Sequence, residues 1–479
     1  MTSNGAEAAI ASLKDAGLGD VLHLPESQAY NDRTTSYWSL TAQLRPWAIV
    51  QPRTTEEVSK ALTALVNTPD VKFAVRSGGH MAWAGANNIN DGVTIDLGLM
   101  TKTTYNPETK VASIQPGGRW TDVYSEVERN GVMVAGGREG LVGVGGLLTG
   151  GGKTFYTCRY GFACDQVVNY EVVLADGSVV EANATTNPDL FRVLKGGGNN
   201  FGIVTRFDMA TFEAKNIWDG NMIVSKDQTD AVIDAFVDFT AALKEKPDSH
   251  VLVMWTWLPQ ASDPFIMLVL THLDGVENHQ SLEKFTAIPG QKTMQVTSLA
   301  KKVASFLVPS GKQDTWFTLT FKLDTRIINK VVEAFERLGK KLQGLIPDGD
   351  FYISLVLQPL PVTFGAHSAA RGGNMFGLDR IADDCVLLVA AVEVATPEIS
   401  DTIGFPSLKG AIDEIEAYAE AVGGNVGFRY LNYCDGSQDP FATYGAENIR
   451  KMKDAAAKYD PAGVFQTRVP GGFKISKVQ

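Results

Sequence analysis

Glycine gathers in this chain beyond what ordinary chain reversals need. Its 47 glycines concentrate in three clusters of the first half: Gly78-Gly79, Gly143 to Gly152, and Gly196 to Gly198. Glycine tolerates positive φ and lets the backbone approach a ligand closely. Successive N–H groups exposed in such loops form an anion-binding concavity, and phosphate is the usual guest. Gly196 to Gly198 alone reads as tight turns. Three clusters in one region, two of them beside apolar strands, point to a diphosphate-bearing cofactor.

Two familiar phosphate loops are excluded. A dinucleotide fingerprint needs G-x-G-x-x-G directly after a strand, opening a helix, with an acid some ~20 residues on. "GLVGVGGLLTGGG" has overlapping glycine spacings but no matching helix and acid. A Walker A loop would end at Gly152-Lys153-Thr154, yet Leu147 stands where its first glycine belongs. A third feature stands out in "AVRSGGHMAWAG": His80, one of six histidines, sits directly behind a Gly-Gly pair at the end of an expected strand.

With 479 residues, 44% of them hydrophobic, the chain predicts two or three domains. A net charge of −11 argues against nucleic acid or an anionic membrane as the main partner. The first twenty residues lack basic and apolar signal regions, and no window approaches ~18 uninterrupted apolar residues. Cys158, Cys164, Cys385 and Cys434 follow no zinc spacing and read as free buried thiols, so no metal site is expected. Together these features predict a cytoplasmic protein.

Periodicity predicts short strands at "AIVQP", "VKFAVRSGGH", "GVTIDLGLM" and "VASIQPGGRW". A helix capped by Thr54 or Thr55 follows the first of them, with Val58, Leu62 and Leu65 on one face. Asp176-Gly177 signals a hairpin. Asn187 fits a helix cap and Pro188 the first helical position. Beyond about Phe212 glycine thins out, long amphipathic helices alternate with apolar strands, and an open sheet with helices on one face is expected. Near residue 426 the glycine and aromatic content rises again. The reading is a middle domain over 213–428 inserted into a terminal one made of 1–212 and 429–479.

"RSGGH", "GVGGLLTGGG", "RYGFACDQVVNYEVVLADGSVVEAN", "GGGNNFGIVT" and the closing "YLNYCDGSQDPFATYGAENIRKMKDAAAKYDP" resemble the FAD-linked oxidases of the vanillyl-alcohol-oxidase type. Within these, the chain is most similar to the fungal berberine-bridge-enzyme-like oxidases, weakest from about 213 to 425. The resemblance implies an α+β, two-domain FAD-binding fold whose substrate domain is an antiparallel sheet covered by helices. It implies a covalent bond from His80 to the flavin, with Arg76, Ser77, Gly78 and Gly79 wrapping the pyrophosphate. Other positions aligned with the FAD site are Met81, Ala86, Gly117, Val142, Gly145, Gly146, Thr149, Gly151, Gly152, Gly161, Val168, Gly202, Ile203, Val204, Asn432 and Tyr433. Many relatives carry a second link through a cysteine three residues before the V-G-V-G-G block. That position here is Glu139, flanked by Arg138 and Gly140, so one covalent link is expected.

The resemblance also places a substrate C–H against the flavin and a base beside it, with Tyr433, Tyr430 and Gln358 as candidates. A tyrosine near its reference pKa of ~10 needs a nearby cation to act as base. Arg429 would point to the opposite strand face from Tyr430. Tyr352, Ser354 and Gln358 share one strand face by alternation. The "HSAARGGNMFGLD" loop would cover the pocket, with His367 as a weaker acid–base candidate; Met254, Trp255 and Trp257 could line it or serve as core. The expected partners are a small-molecule substrate and O2, in an oxidase of a natural-product, alcohol or carbohydrate-like compound. The alternative is a redox-neutral cyclase or isomerase on the same scaffold.

Overall fold

Strand pairing organises the chain into four sheets, seen in a computed structural model that describes residues 2–478. In the first, Ala48–Val50, Val93–Asp96 and Phe73–Arg76 run parallel, with Leu22–His23 antiparallel at one edge. These parallel strands are almost wholly buried, as sheets covered on both faces must be. Thr54 caps the Thr55–Asn67 helix by accepting the Glu57 N–H, and the helix buries Val58, Leu62 and Leu65 as the spacing requires.

A second, antiparallel sheet has the order Thr103–Asn106, Val111–Ile114, Ile203–Ala210, Val167–Val173, Val179–Asn183. Its last two strands are the hairpin turning at Asp176-Gly177. Val132–Met133 and Phe212–Glu213 form a small pair. The largest sheet is antiparallel and eight-stranded. Its central run is Asn216–Ser225, Phe265–His272, Ser249–Trp257, Phe351–Leu360, Cys385–Val394 and Gln313–Lys322.

The two faces of this sheet differ. One face receives the helices Thr325–Leu345 and Phe405–Ala421. The helix Thr325–Leu345 buries Ile327, Ile328, Val331, Phe335, Leu338 and Leu342 along one stripe. Trp257 packs against Phe335 at 6.2 Å between ring centres. Fully burying one such side chain is worth roughly 1.5–3 kcal/mol. The other face carries Leu252, Met254, Val269, Val356 and Val389. Strand alternation therefore separates Met254 from the tryptophans: Trp255 and Trp257 are core, whereas Met254 faces the other side.

The C-terminal segment returns to the first half of the chain. The Ala446–Tyr459 helix packs on Pro188–Val193. Asp460 then accepts the N–H groups of Val464 and Phe465 at 2.8 and 2.7 Å. The Arg468 guanidinium donates to the carbonyls of Leu65, Thr68 and Val71 beside the first sheet. All four cysteines are buried free thiols. No helix among the described residues is long and apolar enough to cross a membrane.

Three local expectations are corrected. Asn187 sits at φ +47° and donates its amide to the Glu181 carbonyl instead of capping the helix; Pro188 does open it. A short helix, Val144–Thr149, does open inside the glycine block at Gly143. What the dinucleotide fold lacks here is a parallel strand feeding it, since Val132–Met133 pairs antiparallel. Residues 429–433 are not a strand: Leu431–Tyr433 is a single helical turn, and Arg429 pairs with Glu416 on the Phe405–Ala421 helix. The strand-face argument for Arg429 and Tyr430 does not apply.

Candidate functional site

A cavity of about 480 Å³ lies between the glycine clusters and the helix-free face of the large sheet. The glycine wall is built by close backbone approach. A Cβ on Gly78 would stand 2.5 Å from the Gly143 nitrogen and 2.7 Å from the Arg119 guanidinium. No side chain fits between these two loops. Ser77 stitches them together, donating to the Pro116 carbonyl at 2.6 Å and accepting the Gly145 N–H at 3.1 Å. Gly79 holds φ +68°, which turns the chain toward His80.

His80 is stacked on Trp38, with ring centres 4.8 Å apart and planes 10° from parallel. Burial, reinforced by the nearby Arg119 charge, pushes its imidazole down to about 3. The ring is therefore neutral near pH 7, and its 3.6 Å approach to the Glu139 carboxylate is a polar contact, not an ion pair. Its Nε2 is buried with no hydrogen-bond partner. So are Trp83 Nε1 and Asn87 Oδ1, and all three residues line the same cavity. Native interiors rarely leave such atoms unpaired, so the wall is made to meet a ligand's polar groups. Nothing stands within 4 Å of the position a Gly146 side chain would take, so the backbone there is open. A large cofactor bearing a polar ring system and phosphates fits these residues.

Most of the positions expected to contact FAD border this cavity. Ser77, Gly78, Gly79, His80, Met81 and Ala86 do so from the first glycine cluster. Val142, Gly145, Gly146 and Thr149 do so from the second, and Gly202, Ile203 and Val204 from the strand after the third. Asn432 and Tyr433 close the far side. Six positions do not reach it. Arg76 is fully buried behind the loop, 3.5 Å from Asp96, donating to the carbonyls of Arg33 and Ser36 and lying 3.7 Å over the Tyr37 ring. It braces the cradle from outside. Gly117 donates to the Met100 carbonyl. Gly151, Gly152 and Gly161 turn away from the cavity, Gly161 lying against Asp165. Val168 is 37% exposed on its strand.

On the sheet wall, Tyr352, Ser354 and Gln358 all face the cavity from Phe351–Leu360. Gln358 belongs to a polar group that the sequence reading only half assembled. The Arg138 guanidinium donates to the Gln358 Oε1 at 2.8 Å and to the Tyr433 phenol oxygen at 2.7 Å. The Tyr433 hydroxyl lies 3.4 Å from the same Gln358 oxygen. His250 Nε2 is 3.2 Å from the other Arg138 nitrogen. The cation beside the candidate tyrosine is thus Arg138, not Arg429. Its signal was present: a charged Arg138-Glu139 pair interrupting a glycine-rich stretch, noted only for its missing cysteine. Glu139 itself accepts the N–H groups of Leu141 and Val142 at 2.8 Å, fixing the turn that aims Arg138.

Tyr430 has a different place. Its phenol oxygen accepts the Gly152 and Lys153 N–H groups at 2.7 and 3.0 Å, and burial raises its pKa far above the ordinary phenol value. That makes it a brace for the Gly150–Gly152 turn and a poor base. Lys153, the residue of the failed Walker pattern, is buried at the cavity and donates to the Pro359 carbonyl at 2.8 Å. Burial, then the Arg138 charge, push its amine down to about 7. His250 is held well below its ordinary value by burial and by Arg138. His367 lies on the Thr363–Ala370 helix with Nε2 3.0 Å from the Cys158 carbonyl, away from the cavity. The loop after it packs through Asn374 onto Asp165, so it does not cover the pocket.

Residues 46–183 match the family model of an FAD binding domain. An FAD-dependent monooxygenase of Aspergillus calidoustus (drtC) is 38% identical over 476 residues, covering 98% of this chain and 90% of that protein. Among solved structures, a carbohydrate oxidase from Microdochium nivale superposes with a TM-score of 0.77 at 20% identity, covering 98% of this chain and all of that one. The 6-hydroxy-D-nicotine oxidase of Arthrobacter nicotinovorans does so with a TM-score of 0.75 at 20% identity, covering 93% and 96%. The glycine cradle and the homology to a fungal FAD-dependent enzyme along nearly the whole chain converge: the chain belongs to the FAD-binding oxidoreductases, and it shares the fold of the carbohydrate and nicotine oxidases.

Proposed function

We propose that this oxidoreductase is an oxidase that removes two electrons and two protons from a small organic substrate, a hydride from a C–H and a proton from a neighbouring O–H or N–H, and passes them to O2, giving H2O2. The observation that carries the proposal is the Arg138–Tyr433–Gln358 cluster facing the glycine cradle across one cavity. FAD, bound at the cradle, would supply the two-electron redox chemistry. His80, with its free Nε2 and neutral ring, is the nucleophile suited to a single covalent tether. Glu139 in place of a cysteine leaves no second one. Ser77, Gly78 and Gly79 would hold the pyrophosphate on backbone N–H groups.

Tyr433 is the group that takes or relays the substrate's proton. Arg138 holds its oxygen from one side and compensates negative charge as it develops there, in a site where water is largely displaced by apolar residues. Gln358 accepts from both groups and fixes their orientation. Leu252, Met254, Val356 and Val389 exclude water around the reacting carbon. We also propose that the chain divides near residues 212 and 428, with both ends forming the FAD unit.

The name of the Aspergillus calidoustus relative favours a second reading, in which one oxygen atom enters the product. One experiment separates the readings. Turnover in ¹⁸O2 with a substrate is followed by peroxide release and product mass. Peroxide equimolar with a product two mass units lighter supports the oxidase. Heavy oxygen in the product supports monooxygenation, and product without oxygen uptake supports a cyclase or isomerase. For the tether, acid precipitation of the wild-type protein should keep flavin in the pellet, and His80→Ala should release it to the supernatant.

A further inference from the structure

Beyond Tyr433 the cavity continues to an end that this chemistry does not use. Glu393 stands on Cys385–Val394 between two register partners, Asp314 on Gln313–Lys322 and Tyr352 on Phe351–Leu360. Glu393, Tyr352, Ser354 and Trp316 line the cavity there. Asp314 is only 3% exposed, and its Oδ2 has no hydrogen-bond partner. The Trp316 indole N–H, two positions along the same strand, is unpartnered too.

Acids this deep are ordinarily paired. The neighbouring cation, Lys312, is already engaged by both oxygens of Asp350, at 2.8 and 2.9 Å. Burial and the adjacent Glu393 push Asp314 up to about 8, and burial pushes Glu393 up to about 7 against the pull of Lys312. Near neutral pH the two carboxyls therefore hold on to protons, and as pH rises they take up negative charge that only Lys312 and a hydrogen bond from Ser39 offset. A packing role alone would be met better by apolar residues. An ammonium group suits the arrangement: it donates to Glu393, which lines the cavity, its charge offsets that of Glu393 and of the buried Asp314 beside it, and it meets the Trp316 and Tyr352 rings as a cation meets aromatic faces. A hydroxyl would satisfy the hydrogen bonds and leave the charge.

We infer that the Asp314–Glu393 end of the cavity binds the protonated amine of a largely apolar substrate whose reacting carbon lies at Tyr433. The inference rests on reading this cavity as the substrate site. Trp316 marks the junction, its ring centre 6.3 Å from that of Tyr433. Tyr352 and Gln358 stand six residues apart on one strand, which sets an upper span of roughly 20 Å between the two ends at ~3.3 Å per residue. Amine binding strengthens as Glu393 and then Asp314 lose their protons above neutral pH, with Lys312, Asp350 and Tyr352 the other titratable groups facing them.

The test is a binding measurement on the purified holoenzyme, so it is independent of turnover. By calorimetry, 4-phenylbutylamine should bind at least ~10-fold more tightly than 4-phenylbutan-1-ol at about pH 8, since a charge-assisted hydrogen bond is worth a factor of ten or more. Glu393→Gln should remove most of that preference and Asp314→Asn a smaller part of it, each leaving alcohol affinity within about twofold. In the wild type the preference should shrink toward about pH 6, a readout that survives if either variant misfolds. Equal affinity for amine and alcohol, a preference unchanged in both variants, or binding of neither ligand overturns the inference. Flavin retention and peroxide release, measured separately, report on the preceding proposal and not on this one.

Discussion

On one wall of the cavity Gly78 and Gly143 press backbone against backbone, with no room for a Cβ. On the facing wall Tyr352, Ser354, Val356 and Gln358 occupy alternate positions of one strand and present side chains. On the function proposed here, the first wall would recognise what every copy of a cofactor has in common, through backbone N–H groups. The second recognises through side chains that can be replaced singly without moving the sheet. The glycine wall would therefore be rigid in sequence and general in chemistry, and the sheet wall permissive in sequence and the one to decide the substrate.

The sharpest way to break this contrast is Gly78→Ala. Its methyl group would meet the Gly143 nitrogen at 2.5 Å, and the obstacle is backbone that cannot rotate away. Strain of this kind costs about 1–3 kcal/mol or more and falls on the cradle itself. The expected result is protein with little or no flavin, read as the ratio of 450 to 280 nm absorbance, whereas Val356→Ala on the opposite wall should load FAD normally. Normal flavin content in Gly78→Ala would remove the basis of the comparison.

A second prediction concerns catalysis with the cofactor retained. Tyr433→Phe and Arg138→Gln should each lower kcat by about 10²–10⁴-fold, the range for a positioned proton-transfer group. Because Arg138 bonds directly to Tyr433, the double variant should lose little beyond the worse single one. Additive losses would mean that the two residues act separately. Flavin content should be unchanged in all three.

The acid pair gives a smaller, pH-dependent effect. Asp314 and Glu393 have folded-state values near 8 and 7, raised by burial, against reference values near 4 in the unfolded chain. Between those limits the folded state binds more protons than the unfolded one, so this contribution falls as pH rises. The melting temperature of the wild type, taken relative to Glu393→Gln, should drop by a degree or more between about pH 5 and pH 8. An identical pH profile in both proteins would show that Glu393 does not carry the strain. Smallest of all is Val168→Thr. Val168 is exposed on its strand and touches no cavity, so stability should move by less than about 0.5 kcal/mol and flavin content not at all.

Much of the first wall was legible in the order of residues, and the reason is physical. Close backbone approach and phosphate binding demand glycine at particular positions, so the requirement is written in contiguous motifs such as "RSGGH" and "GVGGLLTGGG". The same logic misled where a motif residue serves the loop and not the ligand. Arg76 and Gly152 stand in those two motifs and Gly161 in "RYGFACDQ", yet none of the three reaches the cavity. Alternation placed Tyr352, Ser354 and Gln358 on one face, because a strand's period of two needs no knowledge of its neighbours. It could not say which tyrosine has a cation beside it. Tyr430 and Tyr433 are three residues apart, and only the turn at Leu431–Tyr433 sends one into the Gly152 backbone and the other toward Arg138.

What the amino-acid order determined by itself was the cradle, the α+β pattern and the hairpin and helix signals, since local sterics and periodicity act within a few residues. The tertiary structure alone decided which distant side chains share a site. Arg138, His250, Gln358 and Tyr433 come from four separate segments, and Asp314 and Glu393 meet only through the register of two strands. Such pairings depend on where the chain returns, and burial then sets the charge each group can hold.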